Sequence, residues 1–190
     1  MKKIVVLNKY NRNSTKLNIK KNVPYISYQA LDKISWLIHG FSTRYGGVSR
    51  EHLSTMNLGI ARDDIYENVV KNHEIIAETI GFEAKKIIAS KQTHTTNIRI
   101  VSKEDCGKGV YFKRDYDDVD GLITNEPGLV LATYFADCVP LYIIDTKNKA
   151  IGLSHSGWRG TVGKIGKVTI DLMNRTYGTR ARSEEHTSEL

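Results

Sequence analysis

His94, Cys138 and His155 carry side chains able to bind a soft or borderline metal, and each stands where an apolar run meets a polar turn. The three stretches are KQTHTTNI, ADCVPLYIID and IGLSHSGWRG. Their wide separations match no compact finger motif, so spacing alone is a weak signal. Strand ends, however, converge in a folded sheet and can each present one ligand to a common point. Two imidazoles and one thiolate suit Zn²⁺ and leave a fourth position for water, as in catalytic rather than structural sites. Two other readings stay open. Cys138 could be a thiolate nucleophile with His94 or His155 as its base, or the histidines could be turn residues and the cysteine an apolar filler.

The elements that must position these residues can be read from hydrophobic pattern. KKIVVLN and VPYISYQAL read as short strands or a hairpin around a polar, Asn/Lys-rich loop, and WLIHGFSTRYGGVS begins as a strand that breaks at Gly46-Gly47. Ile65, Val69, Ile76 and Ile80 recur at helical spacing, with Asp63 or Asp64 to cap the start and Gly81 to end the helix. KIIASKQTHTTNIRIVS is a strand with a polar centre. DGLITN is a strand, GLVLATYFADCVPLYIIDT is two strands broken at a bend, and KAIGLSHSGW is another. A helix ending near Gly178 follows. Strands outnumber helices in an α+β order.

Composition bounds the class. The chain has 190 residues, 40% apolar, which suits one domain over residues 1–181. No run is long enough to span a membrane and the start is no signal peptide, so a cytoplasmic protein with no membrane partner is expected. The two cysteines, Cys106 and Cys138, are expected as free thiols. A net charge of +7 admits a nucleic-acid partner, but much of the excess lies in Lys2, Lys3, Lys9, Arg12, Lys16, Lys20 and Lys21, outside the motif cluster and without an RNA-binding signature. A solvated basic surface and no nucleic-acid partner are the expectation. The last nine residues, RSEEHTSEL (182–190), have no apolar periodicity and resemble a translated sequencing adapter. They are expected to be a foreign, disordered tail that replaces a natural C-terminal part, and His186 within them is a poor site candidate.

HGFSTRYGGVS, MNLG, KQTHTTNI, DVDGLIT, ADCVPLYIID and SHSGWRGTVGKI occur in this order, and together they resemble the YfiH family of bacterial proteins, which has a laccase-domain-containing human relative. The motifs run from about His39 to Ile165. The resemblance implies a four-layer α/β/β/α sandwich with mixed β-sheets, incomplete here at the C-terminus. It implies His94, Cys138 and His155 as metal ligands. It also implies phosphorolysis of purine nucleosides (adenosine, inosine or methylthioadenosine) and deamination of adenosine, in a family long described as polyphenol oxidases. Zn²⁺ is the expected metal and Cu²⁺ the alternative; nucleoside and phosphate are the expected partners.

Around the ligands, Arg44 in STRYGG and Arg159 in GWRG are fixed cations beside glycines, suited to bidentate contact with phosphate. Arg159 is also expected to open a helix, where free N–H groups favour anions. Gln92 would share a face with His94 on an alternating strand. Asn57 could orient a ribose hydroxyl or bond a turn. Asp120 and Asp137 could each hold a histidine tautomer or relay protons, and adjacency to Cys138 favours Asp137. Trp158 is expected to pack beneath the turn. The H-x-E and P-C-x-x-C signature of zinc base deaminases is absent, so a deaminase reading lacks an identified proton carrier.

Overall fold

The computed structural model describes residues 14–60 and 62–181. The strand expected in KKIVVLN and the tail 182–190 lie outside the described residues. The chain divides between Lys85 and Lys86 into two compact units.

In the first unit, β1 (Thr15–Lys20) and β2 (Val23–Tyr28) form an antiparallel hairpin with Lys20 opposite Val23. Lys21 and Asn22 form its two-residue loop with φ of 50° and 65°, the double positive φ of a type I′ turn, whose twist matches the strands. Part of the stretch read as an Asn/Lys-rich loop is therefore a strand. Its alternation of Leu17 and Ile19 with Lys16, Asn18 and Lys20 is hidden by polar composition. After α1 (Gln29–Asp32), β3 (Phe41–Ser42) pairs with β2, so the strand expected in WLIHGFSTRYGGVS shrinks to two residues. The helix α2 (Tyr66–Ile80) buries Val69, Ile76 and Ala77 and ends at Gly81, which takes the left-handed φ of 107°. Ile65, expected on the apolar stripe, is the exposed N-cap instead. The fully buried Asn72 of α2 pins the preceding loop. Its Oδ1 accepts from Val48 N, and its Nδ2 donates to Ser49 Oγ and to the carbonyls of Thr55 and Asn57.

The second unit holds the candidate ligands. β4 (Ile87–Ala89) pairs in parallel with β7 (Val130–Ala132). β5 (Ile98–Ile100), β6 (Gly121–Thr124), β9 (Ala150–Ser156) and β8 (Val139–Asp145) form a mixed four-stranded sheet in that order, parallel between β5 and β6 and antiparallel elsewhere. β6 is buried at every residue because both faces are covered, which removes the need for polar alternation. Leu122 enters a core with Ile88, Val101, Tyr116, Val119 and Leu129, and Ile123 enters another with Ala150 and Met173. Met173 belongs to α4 (Ile165–Tyr177), which follows the single-turn α3 (Trp158–Val162) and closes at Gly178 with φ 71°. Helix α4 lies close on β9 at Gly152, where a Cβ would stand 3.0 Å from Met173 Sδ and 3.2 Å from Thr169 Cγ2. This is a mixed α+β fold with several sheets, as the sequence predicts. No helix among the described residues is long and apolar enough to cross a membrane, and both cysteines are free.

Asp64, at the foot of α2, precedes the N-cap Ile65. Its carboxylate gathers Ser49 Oγ, Asn57 Nδ2, Asn68 Nδ2 and the Ile65 N–H. The bonds from Ser49 and Asn57, chief among these, outweigh burial and bring its pKa down to about 2. A carboxyl depressed in the folded state contributes stability that is complete above its unfolded value of 3.8 and is lost as pH falls through 2. In denaturant unfolding, Asp64→Asn should be less stable than wild type near neutrality and converge on it as pH drops toward 2. A gap independent of pH would contradict this role.

Candidate metal centre

Two strands and one loop bring the three ligands together. His155 is the penultimate residue of β9 and 3% exposed. The antiparallel register Val139↔Ser156 carries the chain preceding β8 to the end of β9, so half-buried Cys138 comes beside Gly157. His94 lies in the loop between β4 and β5, exposed, with a left-handed φ of 68°. Only His155 occupies the expected strand end; Cys138 precedes its strand and His94 is in a loop. The donor atoms of all three nevertheless lie within 4.8 Å of one another. Cys138 Sγ is 3.9 Å from His94 Nε2, and the two imidazoles meet edge-on at 4.9 Å.

These residues fit a metal ion on two counts. Two imidazole nitrogens and one sulfur are the donors zinc prefers, and the zinc bond lengths imply donor separations of roughly 3.3–3.8 Å, against 3.9 Å for Cys138 Sγ to His94 Nε2 and at most 4.8 Å across the set. Gly157 supplies the second: a Cβ there would stand 2.7 Å from His94 Cδ2, 3.2 Å from Cys138 Sγ and 3.6 Å from His155 Cε1. The space in which the ligands meet exists because this residue has no side chain. Desolvation, with the Asp137 and Asp120 carboxylates, pushes the Cys138 thiol above its ordinary value. A bound cation acts in the opposite direction, since it favours the thiolate.

Asp120, not Asp137, accepts from a histidine, with its Oδ1 at 2.8 Å from His155 Nδ1. Burial acts to raise the Asp120 pKa, but the N–H groups of Thr93 and Thr95, the His155 ring and the His94 N–H together lower it. Asp137 is exposed and accepts from Cys138 Sγ at 3.5 Å. Adjacency in sequence pointed to Asp137, whereas sheet pairing brings residue 120 to residue 155.

Gln92 stands outside any strand. Residues 92–97 are not a strand, so alternation does not apply. Its amide clamps the segment leading to Cys138: Nε2 donates to Tyr134 O at 2.6 Å, and Oε1 accepts from Tyr134 N at 2.8 Å and Ser90 Oγ at 3.0 Å. Arg159 sits exposed on α3, its guanidinium 5.3 Å from the Trp158 ring centroid. Trp158 is 72% exposed, not packed beneath the turn, because it opens a short helix on the outer side of the chain. Arg44 and Asn57 belong to the first unit. Arg44 Nε and Nη2 donate to Ser54 O, and Asn57 bonds Gly59 and Asp64. Phe135, whose ring is 5.4 Å from that of His155, was missed, although it lies three residues before Cys138 in TYFADC.

Comparison with known proteins adds kinship to this geometry. A family model described as multi-copper polyphenol oxidoreductase laccase matches residues 38–185. Purine nucleoside phosphorylase YlmD of Bacillus subtilis (strain 168) is 38% identical over 147 residues, which cover 75% of this chain and 52% of that protein. A purine nucleoside phosphorylase of Bacteroides thetaiotaomicron is 32% identical over 164 residues, 86% of this chain and 61% of its own length. The crystal structure of YlmD from Geobacillus stearothermophilus superposes with a TM-score of 0.74 at 31% identity, covering 83% of this chain and 58% of that one. The chain spans about half the length of the curated relatives it matches.

The Gly157 cradle yields a direct prediction. Its φ of −74° and ψ of 175° suit any L-residue, so Gly157→Ala should fold but crowd His94 and Cys138. Zinc affinity, measured by competition with a chromophoric chelator, should fall by about tenfold or more, or ~1.4 kcal/mol. Unchanged affinity would show that the three ligands do not meet over Gly157.

Proposed function

Since the chain belongs to the multi-copper polyphenol oxidoreductase laccase family, we propose that it carries the metal-binding part of a zinc-dependent purine nucleoside phosphorylase. The substrates are adenosine, inosine or methylthioadenosine together with phosphate, and adenosine is also deaminated to inosine. The observation that carries the reading is the convergence of His94, Cys138 and His155, supported by the names of relatives at 38% and 32% identity.

In phosphorolysis, a phosphate oxygen bonds to the anomeric carbon as the C1′–N9 bond breaks. The purine leaves with the electron pair and takes up a proton. In deamination, water adds at C6 and ammonia leaves. Zn²⁺ held by His94, Cys138 and His155 would supply Lewis acidity toward an oxygen donor. Arg159 is the phosphate holder of choice: it is exposed, near Gly157 in the chain, and its guanidinium makes no hydrogen bond or ion pair with a described residue. A planar guanidinium grips phosphate bidentately. Arg44 is a second candidate anion holder, Asn57 and Gln92 are candidate substrate-binding residues, and Asp137 is a candidate proton relay. The reaction belongs in the cytoplasm, where nucleosides and phosphate coexist and thiols remain reduced.

Copper-dependent phenol oxidation is the second reading, favoured by the family's description. Multinuclear copper centres need many histidines. The other described histidines are His39, His52 and His73, all in the first unit; His39 Nε2 accepts from Tyr28 N and His73 Nδ1 is bonded to Val69 O. A single copper on the His94, Cys138 and His155 set is what this reading retains.

Zinc-loaded protein of measured metal content, given adenosine with phosphate, should release adenine and ribose 1-phosphate. Without phosphate, only inosine should form. Cys138→Ala should abolish both products, and Arg159→Ala should raise the KM for phosphate roughly tenfold or more, the scale of one lost charged hydrogen bond. Folded, zinc-loaded protein that forms none of these products contradicts the reading, and oxidation of phenols by the copper form alone would replace it with the second.

A further inference from the structure

We propose that Asp120 is the positioning residue of the metal centre: one buried carboxylate fixes both histidine ligands, His155 through its ring and His94 through its backbone. The proposal rests on the reading of His94, Cys138 and His155 as a metal site.

Asp120 is fully buried. Removing a carboxylate from water costs several kcal/mol unless hydrogen bonds replace hydration, so Asp120 must collect donors. It collects five. Oδ2 accepts from Thr93 N at 2.9 Å, Thr95 N at 3.0 Å and Thr95 Oγ1 at 3.2 Å, while Oδ1 accepts from His94 N at 3.0 Å and His155 Nδ1 at 2.8 Å. Three successive backbone N–H groups around one anion make a nest. The middle residue of that nest is His94, in a left-handed conformation that strains a non-glycine backbone. The carboxylate holds the strained backbone in place, and with it the orientation of the His94 ring.

The bond to His155 acts differently. An ionised carboxylate only accepts, so His155 Nδ1 must carry the proton, and Nε2 is left as the lone pair for a metal. The main chain reinforces the grip. Asp120 O accepts from His155 N at 2.7 Å, and Asp120 N donates to Asn97 O at 2.9 Å in the same loop as His94. Gly121 permits this closeness: a Cβ there would fall 2.4 Å from Ile98 Cδ1 and 2.6 Å from Ser154 Oγ. Asp118 is the natural contrast. It accepts from Thr93 Oγ1 and Asn97 Nδ2 in the same loop but bonds neither histidine.

The test compares wild type, Asp120→Asn and Asp118→Asn for zinc affinity and for the absorption spectrum of the cobalt-substituted protein. Near-ultraviolet circular dichroism checks the fold without metal. Wild type and Asp118→Asn should bind alike, with the same cobalt bands. Asp120→Asn should bind about 10–100-fold more weakly, the usual effect of losing a partner of a ligating histidine, with shifted ligand-field bands. Equal affinity and spectra for wild type and Asp120→Asn overturn the proposal, as does an equal loss in Asp118→Asn. Because Asp120→Asn could also unfold, nitrogen NMR of the imidazoles in metal-free wild type decides independently: Nδ1 of His155 should be protonated, and a bare Nδ1 overturns the proposal. Wild type that binds neither zinc nor cobalt overturns the metal reading and this proposal with it.

Discussion

A fully buried negative charge organises the second unit. The Asp120 carboxylate cannot be left without donors at that depth, and the chain supplies them from two places far apart in sequence: the loop at residues 93–95 and the end of β9. Satisfying this one group folds the loop into a nest and orients an imidazole. Electrostatic satisfaction and ligand placement are thus the same set of hydrogen bonds.

The sheet makes that arrangement reachable. β6 lies between β5 and β9, so the residue just before it stands between the segment that leads to β5 and the strand that carries His155. The β8–β9 register then delivers Cys138 to the remaining side. Glycines set the clearances: Gly121 where β6 meets its neighbours, Gly152 where α4 lies on β9, and Gly157 under the ligands. Each is a place where the absence of a methyl group decides whether two parts of the chain can meet.

Much of this was legible in the sequence, for physical reasons that differ by element. The apolar runs of β6, β8 and β9, and the apolar stripe of α2 with its closing glycine, announce themselves because burial imposes their pattern. His94, Cys138 and His155 were legible as a chemical set, since few residue types bind soft metals, and the six ordered motifs added kinship. What failed depended on pairing between distant residues. Asp137 looked better than Asp120 because adjacency is visible in a sequence and cross-strand proximity is not. Strand alternation does not reach Gln92, whose segment is a loop beside the Asp120 nest. Residue type alone favours packing for Trp158, whereas the path of α3 leaves it in solvent. β1 escaped notice because its lysines and asparagines conceal its period.

The metal centre requires one sulfur and two imidazole nitrogens of this chain on one metal ion. X-ray absorption at the zinc edge of protein carrying one equivalent of zinc tests it most directly. One sulfur at about 2.3 Å and two imidazole nitrogens at about 2.0–2.1 Å are expected, with the sulfur shell lost in Cys138→Ser. A zinc environment of oxygen and nitrogen alone in the wild-type protein would contradict it.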